Sequence, residues 1–99
     1  MSIVGLTFEE TFFVPEENHR RIKFEEATTV FADPSSLTIY DPNHPVQENR
    51  YKEQRCVTIG NSIRYRLVVV VHEDKGNTIR ILRARRATLL EKKEYDVKL

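Results

Sequence analysis

Residues 67–71 read Leu-Val-Val-Val-Val, five apolar residues without a polar break. A strand with one wet face alternates apolar and polar side chains. An unbroken run belongs instead to a central strand covered on both faces. The rest of the 99-residue chain must then supply strands on either side and layers above and below. Few helices are available to cover the second face. Either a partner chain supplies that cover, or the second face forms an apolar floor beneath a groove.

Neighbouring strands are readable on both sides. "RCVTIG", 55–60, alternates polar and apolar residues and ends at Gly60-Asn61-Ser62, which reads as a turn. "EDKGN", 73–77, reads as a hairpin loop leading into "TIRILRAR", the last strand. "SSLTIYD", 35–41, reads as a further strand, and residues 3–8 as a short one. Phe24, Ala27, Thr28 and Phe31 repeat at i, i+3, i+4 and i+7, which predicts a helix over 24–34 stopped by Asp33-Pro34. Pro15 followed by two glutamates predicts a short helix over 15–22. A last helix begins near Ala87, where Thr88 and Glu91 have the spacing of a capping box. Between them, 41–54 is a long polar loop carrying two prolines. The expected fold class is α+β. It is a small antiparallel sheet of about four strands, with N-terminal and C-terminal helices packed on it, in one domain over 1–99.

Composition narrows the functions open to such a fold. No apolar run approaches the ~20 residues of a membrane-spanning helix. The N-terminus lacks a basic segment followed by a long apolar stretch, so no signal peptide is expected. Cys56 is the single cysteine, which excludes an internal disulfide or a cysteine-built metal site and fits a reducing cytoplasm. A net charge of +1 argues against binding nucleic acid by bulk charge. Its distribution is uneven: residues 1–26 carry a net −3, and residues 79–99 a net +4. A basic end can focus a positive field on one face; the plainer reading is a solvated surface.

Three glycines supply no glycine-rich phosphate loop. His19, His44 and His72 lack metal-ligand spacing, no serine sits in a nucleophile elbow, and no metal or cofactor is expected. Cys56 reads as a small core hydrophobe, and His72, at a strand end, as structural. Arginine remains. By strand parity Arg80, Leu82, Ala84 and Arg86 share one face of the last strand, and Ile79, Ile81, Arg83 and Arg85 the other. The isoleucines point to the core, which leaves Arg80 on the more open face. Arg50 and Arg55 lie in or just after the long loop. A guanidinium matches phosphate geometry and keeps its proton. Arginines over a sheet therefore suit an RNA phosphate and the added charge of a pentavalent transition state. Cleavage by the neighbouring 2′-OH needs no metal, only a base and an acid. Glu48, Glu53, His44, His19 and Tyr95 are candidates, and spacing does not choose among them.

"FEEATTVFADPSSLTIYDPNH", together with "VTIGNSIRYRLVVVVHEDKGNTIRILRARRAT" and the later "EKKEY", resembles the BrnT family of type II toxin–antitoxin toxins. Such proteins typically read F-E-E-A-x-x-V-F-x-D-P, then a strand ending in I-G, then R-L-L-V-V-V, then I-R-I-I-S-A-R-x-A-T. The resemblance covers roughly residues 24–95. It implies a RelE-like fold, a metal-independent ribonuclease that arrests translation, and a cognate antitoxin protein. That antitoxin binds the toxin and, through its own contacts, the promoter DNA. The arginines of the family's last strand correspond to Arg80 and Arg85. Arg50, Glu48 and His19 complete the expected catalytic set, and Arg55, Arg83, Arg86 and Tyr95 the expected RNA contacts. The chain differs from the family pattern in three places. In the N-terminal segment His19 is shifted, no glycine follows it, and Pro15 interrupts the place of a long first helix; Arg83 replaces a serine; and "YKEQ" reads as an insertion. A relative that keeps only the antitoxin-binding surface is the alternative reading.

Overall fold

The computed structural model describes residues 2–3, 5–10, 22–40 and 54–98. His19, His44, Glu48, Arg50 and Glu53 lie outside these, as do the expected helix and the long loop but for their last residues. The strands are β1 (Ser2–Ile3), β2 (Leu6–Glu10), β3 (Leu37–Tyr40), β4 (Gln54–Asn61), β5 (Leu67–Lys75) and β6 (Thr78–Arg86), in the spatial order β1-β2-β6-β5-β4-β3. The apolar run is central, as expected.

Among the described residues the sheet has six strands rather than about four, and it is mixed. Strands β3 to β6 form an antiparallel meander, while β2 runs parallel to β6 with Phe8 opposite Ile79. Hairpin logic cannot place β2, because its partner lies some seventy positions on in the chain. What places it is burial: β2 covers the outer edge of β6 and brings Phe8 into the core.

Helix α1 (Phe24–Thr29) continues into a 3-10 turn, Val30–Ala32, and then turns extended at Asp33, so the helix is shorter than the spacing predicts. It covers one face of the sheet. Ala27 and Val30 are buried against Val68, Val70, Ile79, Ile81 and Ala84, with Phe24 and Phe31 packed alongside. Val69 and Val71 point to the second face and are buried there too, in line with the uninterrupted run. Helix α2 (Leu89–Lys98) begins with the expected capping box. The Thr88 N–H donates to Glu91 Oε1 at 2.8 Å, and the Glu91 N–H to Thr88 Oγ1 at 3.2 Å.

Polar staples tie these layers together. Glu26, buried on α1, receives Arg66 through both guanidinium ends (Nε at 2.9 Å, Nη2 closer) and the Ser62 hydroxyl at 2.7 Å. Burial pushes the Glu26 carboxyl up, but the hydrogen bonds from Arg66 and Ser62 and the Arg66 charge hold it below the usual carboxylate range. His72, fully buried, joins three strands. Its Nδ1 lies 2.5 Å from Asp74 and its Nε2 2.7 Å from the Thr58 hydroxyl, which is 2.6 Å from that of Thr38. A satisfied network of this kind fixes the register of β3 on the sheet.

Candidate functional site

The arginines of β6 are placed by a bulge. Val71 pairs with Arg83 while His72 pairs with Ile81, so Leu82 is an extra residue on β6. One inserted residue reverses side-chain parity beyond it. The expectation that Arg83 and Arg85 share the isoleucine face is therefore corrected. Ile79 and Ile81 before the bulge, and Ala84 after it, face α1 and are buried. Arg80, Arg83 and Arg85 stand on the second face, opposite Glu73, Val71 and Val69.

Across that face runs a row of alternating charge. Glu9, Arg80, Glu73 and Arg55 occupy matched positions on β2, β6, β5 and β4. The Arg80 Nε lies 3.5 Å from Glu9, its Nη1 3.9 Å from Glu73, and the Arg55 Nη2 3.7 Å from Glu73. These separations give attraction without strong hydrogen bonds. The buried Arg55 Nε finds no hydrogen-bond acceptor among the described residues. Two guanidinium groups with a carboxylate between them thus share one patch.

Arg85 is held differently. Both its terminal nitrogens donate to Glu91, at 2.7 and 2.8 Å. The Arg85 guanidinium, helped by the Thr88 N–H and opposed by burial, pulls the Glu91 carboxyl down to about 2. Arg83 and Arg86 are exposed. Tyr95, 4% exposed, is turned inward. Its hydroxyl donates to the Asp33 carboxylate at 3.3 Å and the Ser35 carbonyl at 3.1 Å. Burial and the Asp33 charge push that phenol up. Burial likewise raises the Cys56 thiol, which leaves it a weak nucleophile. Among the described residues, no three His, Cys, Asp or Glu side chains come together as a metal site requires.

Sequence reasoning missed Glu9 and Glu73. The signal was a charge alternation across four strands, and it exists only once the register is known.

A family model described as a ribonuclease toxin, BrnT, of type II toxin–antitoxin systems matches residues 16–91. The chain belongs to this family. No curated protein matches it significantly. As a BrnT-family toxin it has an antitoxin protein as its implied partner. The residues that carry the BrnT resemblance divide by what they touch. Glu26 of F-E-E-A grips Arg66 of the segment before the valines. Asp33 of F-x-D-P accepts from the Ser35 and Asn61 N–H groups and from Tyr95. Gly60 of I-G lets the backbone pass close to Val30 and Ser36. These build the BrnT fold. Arg80, in I-R-I, belongs to the charged row instead.

Proposed function

We propose that this BrnT-family toxin is an endoribonuclease of RelE-like type that cleaves RNA without a metal, arrests translation, and acts in the cytoplasm until its antitoxin binds. The Arg80–Glu73–Arg55 cluster carries the reading. Arg80 and Arg55 hold the scissile phosphate and offset the charge that builds on its oxygens. Glu73, between them, takes the proton from the 2′-OH. The 2′-oxygen attacks phosphorus, the 5′-oxygen leaves with a proton from an acid such as His19, and a cyclic phosphate remains. Arg83, on the same face of the sheet, contacts a flanking phosphate. Arg85 and Tyr95 position α2 and β6 for this task. Promoter DNA is reached only through the antitoxin.

The test is in-vitro cleavage of total RNA in the presence of a chelator. Arg80→Ala and Glu73→Gln each lower the rate by about 10²-fold or more, with thermal unfolding curves confirming that both variants fold. Wild-type rates retained in Arg80→Ala would sink the assignment. The engagement of Arg85 by Glu91 favours a second reading, a non-cleaving relative that only binds antitoxin. It predicts a folded wild type that leaves RNA intact.

A further inference from the structure

Helix α2 has two sides of opposite character. Tyr95 faces inward and is bonded to Asp33 and Ser35. On the side opposite Tyr95 by helical spacing lie Leu90 and Val97, seven residues apart on one line. They are 67% and 84% exposed, and Leu89 beside them is equally open. Aliphatic side chains on the outer face of a surface helix leave apolar area in water that ordinary amphipathic patterning would remove.

The patch continues off the helix. Tyr65 lines the same cleft as Leu89, Arg86 and Lys92. It is 93% exposed and sits at φ 60°, the left-handed region that a bulky residue rarely adopts. The turn holds it there through two hydrogen bonds, Tyr65 N–H to the Ser62 carbonyl at 2.9 Å and Ser62 N–H to the Arg66 carbonyl at 2.8 Å. Strain spent on presenting an aromatic ring to solvent points to a surface that is covered in use.

The charge around the patch is graded. Arg86 and Lys92 line the cleft with Tyr65 and Leu89, Lys93 follows one turn after Leu90, and Glu91 in the first turn of the helix is engaged by Arg85. Glu94 and Asp96 flank Val97 at the other end. A bare phosphate chain has no use for aliphatic side chains and is repelled by the acidic end. A protein segment with an apolar side fits both features.

We propose that the outer face of α2, extended by Tyr65, is the docking surface for the antitoxin. The occupant is a segment apolar along one side, with acidic residues at the end that meets Tyr65, Arg86 and Lys92. The partner's identity rests on the toxin–antitoxin reading; the place and chemistry of the contact come from the exposed side chains. None of the residues of this surface belongs to the Arg80–Glu73–Arg55 row.

The test uses the full chain and the antitoxin protein of the same system, with affinity measured by calorimetry and RNA cleavage assayed in parallel. Leu90→Glu/Val97→Glu weakens antitoxin binding at least about 30-fold, the size expected for losing central apolar contacts, and leaves cleavage of free RNA unchanged. Lys92→Glu/Lys93→Glu weakens it as well, and more at low salt. Both pairs are exposed, and their melting curves match wild type. Ile39→Glu, on the far edge strand, is the control and binds normally. Unchanged affinity in both α2 variants, or loss of RNA binding in place of antitoxin binding, overturns the proposal. So does a wild type that does not bind antitoxin. Antitoxin binding through α2 by a chain that leaves RNA intact upholds the docking surface while removing the ribonuclease reading.

Discussion

Gly60 shows how much one residue can carry. In the sequence, Gly60-Asn61-Ser62 reads as a turn, yet β4 runs through Asn61 and the turn follows at Ser62–Tyr65. The glycine is there for space. A Cβ at position 60 would stand 2.9 Å from Ser36 Cβ and 3.0 Å from Val30 Cγ1. A glycine inside a strand often marks such a close approach of backbone to a neighbour. Gly60→Ala is expected to destabilise by about 1–3 kcal/mol, read as a lower urea midpoint with an unchanged slope. Tyr95 carries the converse lesson. Its position in a basic helix suggests an RNA contact, but its hydroxyl is committed to Asp33 and Ser35, and only a folded chain shows that partnership.

At the scale of the element, the bulge in β6 decides which arginines stand together. Strict alternation would send Arg83 and Arg85 into the α1 side of the sheet, where charge has no water. The extra residue at Leu82 keeps them out and lets Ala84 fill the core instead. Deleting Leu82 removes the bulge yet leaves Arg83 opposite Val71 and Arg85 opposite Val69, still on the second face, so the deletion variant should keep a cooperative melting transition. Leu82→Ala keeps the bulge and melts cooperatively. Loss of the cooperative melt in the deletion variant would show that the bulged residue does more than set the parity of the arginines that follow it. The capping box of α2 behaves as its sequence spacing predicts, because both partners lie within one turn.

For the whole molecule, the carboxylates that join its layers link stability to acid. Glu26, Asp33 and Glu91 all titrate below their ordinary range, held down by Arg66, by the Asn61 and Ser35 N–H groups, and by Arg85, against the opposing effect of burial. Groups whose folded values are depressed stabilise the fold above their unfolded values and lose that contribution as pH falls toward the folded ones. For Glu91 the window runs from 4.5 down to about 2. The urea midpoint should therefore drop steeply across that range. Glu91→Gln should flatten the drop and cost on the order of 2 kcal/mol at neutral pH, allowing for solvent screening of a partly exposed pair. A variant with the wild-type acid slope would remove Glu91 from this account.

Local rules were enough for much of this protein. The apolar run named the central strand, the i, i+3, i+4 spacing found α1, the T-x-x-E spacing found the start of α2, and the motif pattern found the family. Each rests on residues near one another in the chain, where covalent geometry dictates who meets whom. The parallel docking of β2, the bulge at Leu82, the inward turn of Tyr95 and the Glu9–Arg80–Glu73–Arg55 row were decided by tertiary structure alone. Apart from the bulge, which lies within the β5–β6 hairpin, each joins strands or helices far apart in sequence, and a shift of one residue in register would have exchanged every side chain between the two faces.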